Sequence, residues 1–270
     1  MNLRLPALLL ISLTTATQAS AVEVIGHRGR LQPTQVENSL RQMQFTGATG
    51  IGVEMDLRRS RDGTLWVLHD ETLDRSTNGH GAIAERSDVE LAQVRLRTPD
   101  GHVTDEPLPR FDAVAAWAAK APKVRLMLDL KGATGTDVLP LLRRYRLASH
   151  SILLTFDRTL ATDALNNSDG APVSVLVTKM EDIESYRQLA AGRPLALYVP
   201  QRSAPALFEA ARVSGLEVIS DALPTPQGES LDALAAREGC ATYATFLAAH
   251  PADVLVSDTP QCVAAGNARH

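Results

Sequence analysis

From residue 22 onward the chain alternates between short apolar runs, many of them β-branched, and amphipathic stretches. The runs fall at 22–26, 51–57, 124–130, 152–156, 173–177, 195–199, 216–220 and 253–257, eight in all. Near-continuous apolar character is what a parallel strand needs when it is covered on both faces. Helical patterning occupies 38–45, 112–119, 137–146, 181–191, 204–213 and 230–249. Repeated βα units read as an α/β fold with a parallel sheet. Eight of them in this length predict a closed (β/α)8 TIM barrel, one domain over residues 22–270. An open doubly wound sheet would usually carry a Gly-rich dinucleotide turn, and no GxGxxG occurs.

One interval breaks the rhythm. The stretch between the second and third runs is far longer than one helical connection, and 64–68 reads as an extra strand after the Asp62-Gly63 turn. Asn78-Gly79 and Asp100-Gly101 are further turn signals. Residues 58–107 are therefore expected to form an insertion on the active face of the barrel, where specificity would reside.

The first 21 residues follow another pattern: Arg4, an apolar stretch over 5–13, then Ala19-Ser20-Ala21. This predicts a secretory signal peptide cleaved after Ala21 and a periplasmic or secreted protein. The stretch is too short to span a bilayer, which takes about 20 apolar residues, so no stable membrane anchor is expected. The net charge is -4 with no Lys/Arg-rich run, so the positive footprint of a nucleic-acid binder is missing. Nothing in the sequence points to a protein partner. The two cysteines, Cys240 and Cys262, are an even count in an exported chain and are expected to form a disulfide.

Barrel enzymes keep their chemistry at the C-terminal ends of the strands. His27 and Arg28 follow the first run, Glu54 and Asp56 lie in the second, His69 and Asp70 end the extra strand, and Asp129 and Lys131 end the third run. Glu54 and Asp56, two apart on a strand, share one face. Two carboxylates there need a counter-charge, and one hard divalent cation, Ca²⁺ or Mg²⁺, suits oxygen ligands. Asp129 can add a third carboxylate. Lys131 and Arg28 can face phosphate oxygens. His27 and His69 can form an acid/base pair, since an imidazole titrates near neutrality.

These residues resemble a known family, the glycerophosphodiester phosphodiesterases. The opening His27-Arg28-Gly29, then Glu37-Asn38-Ser39, Glu54-Met55-Asp56, the pair Asp62-Gly63 with His69-Asp70, the run from Leu73-Asp74-Arg75-Ser76-Thr77 to Gly81, and Leu108-Pro109-Arg110-Phe111 follow the family's motif order. The resemblance implies cleavage of a small-molecule glycerophosphodiester to glycerol 3-phosphate and an alcohol. It implies His27 and His69 as catalytic pair, Glu54, Asp56 and Asp129 as metal ligands, and Arg28 and Lys131 as phosphate-binding residues. Glu37 is implied to support the metal or a catalytic histidine, and Asn38 to fix the loop. Asp129-Leu130-Lys131 stands where the family usually has Glu-x-Lys, and Ser220-Asp221 ends the seventh strand without the usual nearby aromatic. Two alternatives remain at this point: a related barrel phospholipase acting on lysophospholipid or sphingolipid headgroups, and an exported binding protein without turnover.

Overall fold

The computed structural model describes residues 22–225 and 228–267. The expected leader peptide, residues 1–21, lies outside the described residues. The strands are β1 (Glu23–Gly26), β2 (Gly52–Arg59), β3 (Leu65–Val67), β4 (Arg95–Arg97), β5 (Val103–Pro107), β6 (Leu126–Gly132), β7 (Ser151–Thr155), β8 (Val173–Leu176), β9 (Leu195–Tyr198), β10 (Glu217–Asp221) and β11 (Val254–Ser257). Eight of these, β1, β2 and β6 through β11, pair in parallel, and β1 joins both β2 and β11, so the sheet closes into a barrel. The expected fold class is the one observed.

Strand alternation sets which residues face inward. On β6, Leu126, Leu128 and Leu130 pack outward in the large core between sheet and helices. Met127 points into the barrel with Ile25, Ile152, Ala196, Ile219 and Val254, and these apolar side chains fill the interior. Asp129 and Lys131 follow the same inward period and emerge above that filling. On β2, Val53, Met55 and Leu57 take the outer core, which leaves the inner face to Glu54 and Asp56. The opposite end of the barrel is closed by Arg125, whose fork reaches Glu23 at 2.6 Å and Glu217 at 2.7 Å.

The interval between β2 and β6 has a small apolar core of its own. Trp66, Leu68, Leu73, Ile83, Leu91, Val94, Leu96 and Leu108 are buried together. β3 pairs antiparallel with the last residues of β2, Leu57 opposite Val67, and so prolongs the sheet past the barrel rim. β4 and β5 form a separate antiparallel pair. Asp88 ties this unit down by accepting from Ser60 Oγ at 2.7 Å, Trp66 Nε1 at 3.1 Å and Thr64 Oγ1.

Two features differ from the periodicity. The stretch 230–249 is not one helix but two, Leu231–Glu238 and Ala241–Ala249. Gly239 between them has φ 99°, a conformation that a helix cannot propagate. Helices Arg158–Asn166 and Pro260–Asn267 fall outside the expected helical stretches, although Ala161, Ala164 and Leu165 form a buried stripe on the first of them. Cys240, in the joint between the split helices, is bonded to Cys262 in the last helix, with Cα atoms 5.1 Å apart. No helix among the described residues is long and apolar enough to cross a membrane.

Candidate active site

A pocket of about 410 Å³ opens at the C-terminal end of the barrel. His27, Arg28, Glu54, Asp56, His69, Asp129 and Lys131 all line it, so seven of the nine residues singled out in the sequence meet in one cavity. Glu37 and Asn38 stand behind its wall, bonded to Arg28 and Asp56.

At the floor, Glu54, Asp56 and Asp129 offer carboxylate oxygens that all lie within 4.8 Å of one another, and all three side chains are buried. Burial and the two neighbouring carboxylates push Glu54 well above the usual carboxylate range. Burial, then Asp56, raises Asp129 to about 6, although Lys131 pulls it back. Three acids in that position need positive charge. Lys131 Nζ supplies part of it, 3.1 Å from Asp129 and 3.7 Å from Asp56. An all-carboxylate donor set of this size fits a hard divalent cation, which would complete the neutralisation.

The turn after β1 is bolted to this floor. Arg28 has φ 51°, a left-handed conformation that costs free energy in a non-glycine residue. It is held there because its backbone N–H donates to Glu54 at 2.7 Å and its carbonyl accepts from the N–H of Asn38 at 2.9 Å. Asn38 is itself left-handed, φ 52°, and its side-chain amide donates to Asp56 at 2.8 Å. Gly29 follows with φ 69°, and a Cβ there would lie 2.5 Å from Met43 Cγ, so the position admits only glycine. The His-Arg-Gly sequence thus has a mechanical reason as well as a chemical one.

Each histidine has its Nδ1 held by a carboxylate, which leaves Nε2 for the pocket. His69 Nδ1 lies 2.6 Å from Asp70, the next residue. Burial lowers the His69 pKa below its ordinary value, against the opposing pull of Asp56 and Asp70, which favours a neutral ring. His27 Nδ1 lies 2.9 Å from Asp258, which also accepts from Arg30 Nη2 at 2.6 Å. Burial would raise Asp258, but the bonds from His27 and Arg30 hold it below its usual value. Asp258 and Arg30 both line the pocket and were not among the residues singled out in the sequence. The signal available was the Ser257-Asp258-Thr259-Pro260 step at the end of the last run.

Arg28 is engaged by Glu37, Nη1 to Oε2 at 2.9 Å, and its buried Nε makes no hydrogen bond but lies 3.9 Å from Asp56. Glu37 also receives the fork of Arg75 at 2.7 and 2.9 Å. Burial would raise the Glu37 pKa, yet the two arginines bring it down to about 2. Glu37 lies outside the carboxylate cluster that can hold a cation. The remaining wall is apolar, formed by Met127, Leu154, Phe156, Tyr198, Leu223, Pro224 and Val256. Phe156 and Tyr198 meet edge to face with ring centroids 5.4 Å apart.

The site can hold a cation against a phosphoryl group, flank it with two imidazoles and seat an organic substituent on the apolar side. Comparison with known proteins agrees with that chemistry. A protein from Caldanaerobacter subterraneus named glycerophosphodiester phosphodiesterase is 41% identical over 64 residues, 23% of this chain and 26% of that protein. The rat glycerophosphodiester phosphodiesterase 1 is 38% identical over 80 residues, 29% of this chain and 23% of that protein. The match thus spans only about a quarter of each of these relatives' lengths. Among solved structures, a glycerophosphoryl diester phosphodiesterase from Parabacteroides distasonis superposes with a TM-score of 0.79 at 22% identity, covering 93% of this chain and 87% of that one. A phosphodiesterase from Oleispira antarctica, in complex with its product sn-glycerol-3-phosphate, gives a TM-score of 0.67 at 20% identity, covering 90% and 96%. These structures share the fold. The model of the glycerophosphoryl diester phosphodiesterase family matches residues 26–239, from the end of β1 to the joint at Gly239, and the chain belongs to that family.

Proposed function

We propose that the protein hydrolyses glycerophosphodiesters to glycerol 3-phosphate and an alcohol, with one divalent cation, Ca²⁺ or Mg²⁺, at Glu54, Asp56 and Asp129. One observation carries this reading: two histidines, each with Nδ1 fixed by a carboxylate, line the pocket whose floor is the buried acidic triad. When bound, the cation supplies positive charge against the phosphoryl oxygens. Arg28 and Lys131, both lining the pocket, add donors for the same oxygens. The imidazoles divide the proton work. One takes a proton at Nε2 from the attacking water, or from the glycerol 2-hydroxyl that closes a cyclic phosphate for water to open, and the other, protonated, delivers one from Nε2 to the departing alkoxide. Asp258 and Asp70 keep each ring oriented and stabilise its charged form.

A coupled assay for released glycerol 3-phosphate tests the reading, with glycerophosphocholine and glycerophosphoethanolamine as substrates. Chelator should abolish product and added Ca²⁺ or Mg²⁺ should restore it. Folded protein that yields no product with either cation would refute it. The apolar wall, with Phe156 43% exposed at its edge, favours a second reading. In it the substrate is a lysophospholipid whose apolar part rests on that wall, and lysophosphatidylcholine is the substrate that separates the two.

We further propose that the mature protein begins at Val22 and works in the periplasm or outside the cell. The Cys240–Cys262 bond supports this, because such a bond persists in an oxidising compartment. N-terminal sequencing of the protein recovered from fractionated cells tests it.

A further inference from the structure

The Leu73-to-Gly81 run has no part in the chemistry above, yet one of its residues reaches the site. Leu73 is buried in the small core between β2 and β6 and anchors the segment. Thr77 Oγ1 donates to the Leu73 carbonyl at 2.6 Å, and the Gly81 N–H donates to Asp74 at 3.1 Å, closing a compact turn. That turn presents Arg75 to two carboxylates at once. Its Nε and Nη2 donate to Asp70 at 2.6 and 3.1 Å, while Nη2 and Nη1 donate to Glu37 at 2.7 and 2.9 Å. Asp70 holds His69 Nδ1, and Glu37 holds Arg28 Nη1.

We propose that Arg75 is a positioning residue that couples the two arms of the site, setting the His69 imidazole through Asp70 and the Arg28 guanidinium through Glu37. The proposal rests on the phosphodiesterase reading for its kinetics but not for its geometry. The two arms come from different parts of the chain. His69 and Asp70 stand just beyond β3, whereas Glu37 lies in the loop after β1. Without a shared partner, each carboxylate would be fixed on one side only. A guanidinium is suited to the task because its planar donors can serve one carboxylate along the Nε edge and another along the Nη edge. A lysine keeps the charge but gathers its three donors at one nitrogen, so it cannot reproduce the four bonds by which the guanidinium fixes both carboxylates. Arg75 itself touches neither the acidic triad nor, at half exposure, the depth of the pocket.

Kinetics of Arg75→Ala and Arg75→Lys against glycerophosphocholine test the proposal, with melting temperature measured on each. The expected result for R75K is a kcat about 10- to 100-fold below the parent, KM within about threefold and an almost unchanged melting temperature. The double variant R75K/E37Q should lose less than the product of the two single losses, because both act on one linkage. Should R75A not fold, R75K still decides. An R75K protein with full kcat, or one whose loss follows its melting temperature, overturns the proposal. A readout independent of turnover separates this from failure of the phosphodiesterase reading. The ¹⁵N spectrum of the His69 ring, assigned with H69Q, should show one fixed tautomer in the parent and averaged signals in R75K. Identical spectra would overturn the proposal even if the substrate were misassigned.

Discussion

Asp56 and Asp129 stand directly opposite each other, as register partners on the parallel strands β2 and β6. Both point inward, and Lys131 Nζ is the cation near both of them. Two buried acids face to face make the floor electrostatically expensive without a bound cation, and they make cation and proton competitors. Asp129, raised to about 6 by burial and Asp56, must lose its proton for a cation to bind. Glu54, held well above its ordinary value, must lose its proton as well, so cation affinity should fall as the pH drops toward and through about 6, by roughly tenfold per unit for each proton displaced. Titration calorimetry at pH 5 and pH 7.5 measures this. Asp56→Asn should weaken binding at least about tenfold at pH 7.5 while relieving the repulsion on Glu54 and Asp129.

The two histidines should be separately indispensable. His27→Ala and His69→Ala are each expected to lower kcat by about 10²- to 10⁴-fold while retaining the circular-dichroism spectrum of the parent. Full activity in either variant removes that residue from the mechanism.

Asp258 orients His27 and should matter although it meets no reacting atom. Asp258→Asn keeps the size and can still hydrogen-bond, but it withdraws the charge that stabilises a protonated ring. A kcat lower by about 10- to 1,000-fold with a KM changed much less is expected, read in the same coupled assay.

Glu37 gives a pH signature to stability rather than to turnover. Its carboxyl is depressed to about 2 in the fold, below its ordinary value of 4.5. A depressed acid stabilises the fold above its unfolded pKa, and that stabilisation is lost as the pH falls through the folded value. The contribution is about 3 kcal/mol at neutral pH and should fade between about pH 4.5 and 2. Urea unfolding of the parent and of Glu37→Gln should converge across that window. A constant gap would show that Glu37 contributes through packing alone.

The disulfide closes a loop of 22 residues between Cys240 and Cys262. Loop-closure entropy puts its contribution at about 3 kcal/mol, so C240S/C262S should melt roughly 5–10 °C lower. Calorimetry of the parent with and without reductant should give the same difference.

Much of this was legible in the chain because parallel strands covered on both faces write themselves as apolar runs. Glu54, Asp56 and Asp129 could be found because they interrupt such runs on the inward period, where an acid has no structural use. The left-handed turn at Arg28 was not read, although the adjacent Gly29 was a signal for it. Asp258 and Arg30 escaped notice for an opposite reason: an Asp after the last strand means nothing until closure places β11 beside β1. Glu37 was legible as important, but its place in the forks of Arg28 and Arg75 depends on side-chain geometry that spacing cannot supply. The helical break at Gly239 was hidden because the apolar pattern runs on through it.

The bond between His27 and Asp258 joins residues 231 apart, nearly the full span of the described chain. The seam beside it, where β1 meets β2, has only two register pairs, against four between β1 and β11. During synthesis the first strand must therefore wait, half paired, until almost the last strand has emerged. Contacts so distant in sequence are slow to form. Turnover would be the final property the molecule acquires, later than most of its secondary structure, and a refolding chain should recover helicity well before it recovers a working imidazole.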